Sequence, residues 1–285
     1  MKKILFFFIL CLCSYARAQQ NDTIYLIVQG DDIGSSQAAN MGCIEAYQKG
    51  ILTVTELMVP CPWFLQAARL LNENPGLDVG IHLVLTSEWS EYKWRPLTCC
   101  PSLTDSNGYF YPMVWQRNDM PGGTALHDAP WKYEEVEKEL RAQIELALKH
   151  VPHITHLSGH MGWSSIDPEL EKLRKKLAHE YGLEINPHNY PIRGLDGFGK
   201  ANTLKERIKI FNENLEKLTP GIYRFVDHPA LNTPEMRSIY HPGYTHVAED
   251  RDMVTKVLTH PSVKKTIKKK KIKLIGYKDL ANIKL

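Results

Sequence analysis

The chain has 285 residues, 43% of them hydrophobic, with 35 basic and 32 acidic side chains and a formal charge of +3. That length suits one large domain with a well-buried core. The near-balance of charge argues against a nucleic-acid partner. Six cysteines without a CxxC pair argue against both a disulfide scaffold and a thiolate zinc site.

Residues 1–18 read as a cleavable signal peptide. Lys2 and Lys3 form a positive start, 4–13 is a short apolar run, and Ala16-Arg17-Ala18 places small residues where a signal peptidase cuts. The run falls short of the roughly 20 residues that span a bilayer. Leu10 and Leu12, not small residues, precede Cys11 and Cys13, which disfavours a lipoprotein anchor. A periplasmic or secreted location without a membrane span is expected. Losing three basic residues leaves 19–285 formally neutral. Cys43, Cys61, Cys99 and Cys100 remain, and an oxidising compartment permits disulfides. Adjacent Cys99 and Cys100 are poorly placed to bridge each other. Oligomeric state is open, a homodimer being one option.

Seven short apolar runs read as strands: 23–29, 53–59, 78–83, 153–157, 182–186, 223–226 and 273–277. Helical patterns at 36–48, 63–72, 133–149, 168–181, 204–218 and 251–258 lie among them; Val136, Leu140, Ile144 and Leu148 recur once per turn. The basic cluster of Lys264, Lys265 and 268–271 reads as a solvated helix end. This alternation predicts an α/β fold of parallel strands with helical crossovers. The expected architecture is a deformed or incomplete (β/α) TIM-like barrel of about seven parallel strands, a single domain over 19–285. A long loop insertion at 86–131 interrupts it, and a loop of that length is usually functional.

Chemistry-bearing residues sit at the carboxyl ends of the expected strands. Asp31 and Asp32 follow the first, His82 ends the third, and His160, His188 and His228 follow the fourth, fifth and sixth. In a barrel those ends share the face that carries the active site. One carboxylate and two neutral imidazoles make a facial N,N,O set for a divalent cation, which acidifies water and polarises a carbonyl. A second carboxylate can act as general base and a further histidine can protonate a leaving amine. Together these suffice for amide hydrolysis without a covalent intermediate. Taken singly, each has a plainer reading. Asp31-Asp32-Ile33-Gly34 could be a strand-to-helix turn with Asp32 or Ser35 as the cap, and His82 a hydrogen-bonded core histidine. Their common placement favours function. No GxSxG elbow, GxxxxGK[ST] loop or GxGxxG turn competes.

The chain resembles the YdjC-like (ChbG/HpnK-type) carbohydrate deacetylases, relatives of the NodB-type polysaccharide deacetylases. The resemblance starts at Gly30-Asp31-Asp32-Ile33-Gly34 and runs through Gly80-Ile81-His82-Leu83, Thr155-His156-Leu157-Ser158-Gly159-His160 and His228-Pro229-Ala230. It closes at Arg251, Leu258-Thr259-His260-Pro261 and Gly276-Tyr277-Lys278-Asp279-Leu280. It implies metal-dependent removal of acetyl from an N-acetylated sugar or oligosaccharide. Asp32, His82 and His160 would hold one divalent ion (Mg2+ or Zn2+), Asp31 would be the general base, and His228 the acid or transition-state stabiliser. Three positions depart from the family's pattern: Ser158 stands where Asp is common, Met161-Gly162-Trp163 where further histidines often follow, and Ile33 where Phe is usual.

Trp89, Trp94, Trp163, His188 and Arg193 are the candidate substrate contacts. Tyr109, Tyr111, Trp115 and Trp131 of the insertion are further aromatics that could stack on sugars. The plainer reading is that the aromatics pack the loop and that Arg193 is a surface ion-pair partner. The alternatives are an O-acetyl esterase or another metal hydrolase on this scaffold, or a glycan-binding protein without turnover.

Overall fold

A computed structural model describes residues 22–283, so the expected signal peptide lies outside the described residues. Its strands are β1 (Ile24–Ile33), β2 (Val54–Leu57), β3 (Asp78–Leu83), β4 (His156–Gly159), β5 (Ile192–Gly194), β6 (Gly221–Asp227) and β7 (Lys273–Leu274). All pair in parallel in the order β4-β3-β2-β1-β6-β5, with β7 added to β1. β6 takes one edge of β1 along its length. β7 and β2 share the other, β7 at Tyr25 and Leu26 and β2 from Gln29 onward. Leu26, Ile27 and Val28 have no exposed surface, as expected of a parallel strand covered on both faces.

The outer layer comprises α1 (Gln37–Gln48), α2 (Phe64–Glu73), α3 (Tyr133–His150), α4 (Pro168–Glu180), α5 (Leu204–Glu216), α6 (Pro234–Arg237), α7 (Val247–Thr259) and α8 (Pro261–Lys269). Their starts follow local chemistry. Asp167, Thr203 and Thr233 accept backbone N–H bonds at the heads of α4, α5 and α6, and proline opens α4, α6 and α8. No helix among the described residues is long and apolar enough to cross a membrane.

The sheet curls into a half-barrel, because β4 and β5 end the strand order and do not pair. A cavity of about 300 Å³ lies on that open side, with Glu56, His156, Ser158, His188, Arg224 and Tyr277 in its walls. The fifth strand is not at 182–186: only Glu184 bridges there, antiparallel to His156, and β5 forms at Ile192–Gly194. Gly182 at φ 68° and a 3-10 turn at Pro187–Asn189 bracket that run, so it cannot extend. The insertion at 86–131 is a long loop, closed by Ser87 N–H to Tyr111 O and packed through Leu103, Phe110, Met113 and Leu126. Buried Glu139 of α3 anchors it, accepting from the Leu97 and Thr98 backbone at 3.0 and 2.9 Å. The four described cysteines are free thiols.

Candidate metal centre and catalytic site

The centre begins at an irregularity in β1. Between the Gly30–Thr55 and Ile33–Leu57 pairs, β1 spends one residue more than β2. Such a bulge re-aims side chains, and here it carries Asp31 and Asp32. Asp32 adopts φ 70°, a left-handed conformation uncommon outside glycine. Gly34 follows at φ 101°, where a Cβ would lie 2.5 Å from Met58 O, so the turn requires glycine. The helix cap is neither Asp32 nor Ser35. Ser36 accepts from Ala39 N–H, while Ser35 Oγ donates to Asp32 O at 2.6 Å. The Asp32 carboxylate is thereby left for another task.

Asp32, His82 and His160 are all buried and offer ligand atoms within 4.8 Å of one another, so they can hold a metal ion. His82 Nε2 is 3.7 Å and His160 Nδ1 3.4 Å from Asp32 Oδ1. That oxygen is buried without a hydrogen-bond partner. An orphaned carboxylate oxygen is costly in a protein interior, and a cation between it and the imidazoles would satisfy it. Asp32 Oδ2 is occupied by Arg251 Nη1 at 2.9 Å, so one oxygen is available for coordination. The donor set of one carboxylate and two imidazoles fits a divalent ion.

Each histidine has a partner behind it. His82 Nδ1 is 2.8 Å from Ser158 Oγ, and His160 Nε2 is 3.0 Å from Glu88 Oε2. Burial pushes the His82 pKa down, Asp31 only partly opposing it, so the imidazole is neutral and ready to ligate. Burial would lower His160 too, but Glu88 and Asp32 outweigh it and raise the pKa to about 10. Without a cation, a proton on His160 balances those carboxylates. Burial would raise Asp32, but Arg251 and His228 hold its carboxyl well below the ordinary range.

Asp31 is buried beside this cluster. Gln29 Nε2 donates to its Oδ1 at 2.7 Å, Tyr277 O–H donates to Gln29 Oε1 at 2.5 Å, and Arg224 Nη1 donates to Tyr277 Oη at 3.2 Å. Burial pushes the Asp31 carboxyl up, against the pull of His82 and His228. A carboxylate of raised basicity suits a general base. His228 follows β6, half-exposed, with Nε2 3.9 Å from Asp32 Oδ2 and Nδ1 3.7 Å from Asp227 Oδ1. Partial burial disfavours its cation, but Asp32 and Asp227 more than compensate and raise its pKa, so it can donate a proton.

The substrate candidates divide. Trp89 is nearly buried, stacks on His241 at 5.6 Å and lies under the Arg251 guanidinium at 5.3 Å. Trp94 presents an edge to His160 at 6.3 Å and donates to Thr86 O. Both wall the cluster. Trp163 has no exposed surface and donates to Leu83 O at 2.8 Å, so it is a core residue with no face for a sugar. His188 is exposed at the cavity on the barrel's open side. Arg193 is exposed on β5 opposite Tyr223, with Nη1 3.3 Å from its hydroxyl. That is four residues, about 13 Å of strand, short of Asp227, because β5 formed later in the chain than expected. Arg251, Glu88 and Glu56 are the residues that sequence reading did not assign. Glu88 and Glu56 are single charges with no spacing signal, marked only by their burial in the fold, and Arg251 entered the resemblance without a role.

Two comparisons identify the lineage. The profile of the YdjC-like protein family matches residues 25–269. The chain belongs to the YdjC-like family. Among its relatives, a carbohydrate deacetylase of Thermus thermophilus is 33% identical over 269 residues, covering 85% of this chain and 89% of that protein. A carbohydrate deacetylase 1 of Listeria innocua is 30% identical over 268 residues, covering 90% and 99%. A crystal structure of a cellobiose-phosphate cleavage protein from Enterococcus faecalis shares the fold, with TM-score 0.70 and 23% identity over 91% of this chain and 99% of that one. The incomplete barrel is thus an architecture shared with that structure.

Proposed function

We propose that this YdjC-like chain is a metal-dependent carbohydrate deacetylase that hydrolyses the N-acetyl group of an N-acetylated sugar or oligosaccharide to amine and acetate. The observation that carries the reading is the orphaned Oδ1 of Asp32 facing His82 and His160, with Asp31 alongside. A divalent ion, Mg2+ or Zn2+, held by those three residues would supply a Lewis acid for the acetyl carbonyl and would acidify water. Asp31 accepts a proton from the attacking water as its oxygen bonds to the carbonyl carbon. His228 donates a proton to the nitrogen as the C–N bond breaks. The names of the relatives support a carbohydrate substrate.

Export to the periplasm or medium belongs to the same proposal, and amino-terminal sequencing of the purified native protein tests it: a start at Gln19 is expected. The activity test is mass spectrometry of N-acetylated and O-acetylated oligosaccharides incubated with enzyme and defined metals. Loss of one acetyl from an N-acetyl sugar, abolished by chelation, is the expected result. Loss from O-acetyl sugars alone would replace the reading with an esterase, and binding without any loss would replace it with a glycan-binding protein.

A further inference from the structure

The strands β2, β3 and β4 place a single row of polar side chains beneath His82. Glu56 pairs with Gly80, Gly80 with His156, and His82 with Ser158, so five inward-facing positions on three strands are neighbours. Ser158 Oγ lies 2.5 Å from Glu56 Oε2 and 2.8 Å from His82 Nδ1. Glu56 Oε1 lies 2.8 Å from His156 Nε2. His156 Nδ1 is 2.7 Å from Thr155 Oγ1, which donates to Asp78 Oδ1 at 2.6 Å.

The protons in this row follow from its donors and acceptors. A hydroxyl carries one proton. The proton shared by Glu56 and His156 lies on the Oε1 side, so Oε2 is an acceptor wherever that proton sits. Ser158 therefore donates to Glu56, and its lone pair accepts from His82 Nδ1–H. The proton of the His82 ring is then fixed on Nδ1, and Nε2, the atom facing Asp32, keeps its lone pair. Gly80 makes the room: a Cβ there would lie 2.4 Å from both Glu56 Oε2 and His156 Nε2.

We propose that Ser158, Glu56 and His156 are positioning residues that set the tautomer and aim of His82 as a metal ligand, through a hydroxyl relay to a buried carboxylate. This rests on the reading of Asp32, His82 and His160 as the metal centre. A carboxylate behind a ligating histidine, bonded directly or through a relay, orients the ring and raises its basicity, and losing it typically costs about 10- to 100-fold in metal affinity. His160 is held directly by Glu88, so the two histidines are supported by separate carboxylates.

The test is Co2+ titration of the purified protein, followed by visible absorption and calorimetry, with metal-free circular dichroism to verify folding. Ser158→Ala is expected to weaken Co2+ binding by about 10- to 100-fold, while Ser158→Thr, which keeps the hydroxyl, retains affinity. Glu56→Gln is expected to weaken it as well, and adding Glu56→Gln to Ser158→Ala to cause no further loss, since the relay is already cut. Parent-like affinity in Ser158→Ala, or single effects that multiply in the double variant, would overturn the relay. Asp32→Ala separates the two failures. If it loses Co2+ while Ser158→Ala keeps it, only the relay falls. If it binds Co2+ as the parent does, the metal centre and the relay fall together.

Discussion

Arg251 Nη1 stands 2.9 Å from Asp32 Oδ2, on the side of the carboxylate away from the two histidines, and both side chains are buried. The pair divides the labour of one carboxylate: one oxygen compensates arginine and the other is left for a cation.

Breaking a buried ion pair leaves an uncompensated charge and costs about 3–5 kcal/mol. Arg251→Met is expected to lose stability on that scale in the metal-free protein. A divalent ion would restore part of it, because it binds the folded state and neutralises Asp32. Thermal unfolding with chelator and with added Zn2+ measures both effects. An unchanged midpoint with chelator would show that Arg251 does not compensate Asp32.

Asp31 lies beside the cluster yet outside its set of mutually close ligand atoms. Asp31→Asn keeps the shape and the Gln29 contact region but cannot accept a proton. Acetate release is expected to fall by about 10²–10⁴-fold, with Zn2+ affinity preserved. Parallel loss of metal binding would reassign Asp31 as a ligand.

The Glu56–His156 pair makes metal-free stability depend on pH. Burial would raise Glu56, but His156 outweighs it and holds the carboxyl below its ordinary value. Burial would lower His156, but Glu56 raises it. The Glu56 contribution is present above its unfolded pKa of about 4.3 and is lost as pH falls through the lower folded value. The His156 contribution is present below its unfolded pKa of about 6.5 and is lost as pH rises through the higher folded value. The stability difference between parent and Glu56→Gln is therefore expected to peak between about pH 4.3 and 6.5 and narrow on both sides. Denaturant unfolding in chelator across that range measures it, and a flat difference would remove the pair from the stability account.

Gly80→Ala places a methyl against Glu56 and His156. Overpacking of this kind costs about 1–3 kcal/mol. The substitution should also weaken Zn2+ binding, because the displaced Glu56 no longer holds Ser158. Calorimetric titration against the parent decides, and full affinity at reduced stability would limit Gly80 to a packing role.

Much of this cluster was legible because Asp32, His82 and His160 stand near where parallel strands end. Asp32 is the ninth of ten residues in β1, His82 is the fifth of six residues in β3, and His160 follows β4 directly, so hydrophobic runs bounded the chemistry. The β1 bulge was not legible, since it depends on pairing with β2. Residues 182–186 have a strand's apolar content, but Gly182 and the turn at Pro187–Asn189 stop the run, and β5 formed where the sequence is short and largely exposed. Trp163 was named as a candidate substrate contact. The left-handed turn at Met161 and Gly162 reverses the chain and sends the indole into the core. Glu88 and Glu56 reach the centre from the insertion and β2, and nothing in their local sequence distinguishes them from surface charges, while Arg251 of α7 was part of the resemblance but had no role assigned to it.

Anomalous diffraction from crystals grown with Zn2+ tests the convergence of Asp32, His82 and His160 most directly. The expected result is one strong peak at coordinating distance, roughly 2.0–2.2 Å, from Asp32 Oδ1, His82 Nε2 and His160 Nδ1. Zinc bound elsewhere with none at these three atoms would contradict it.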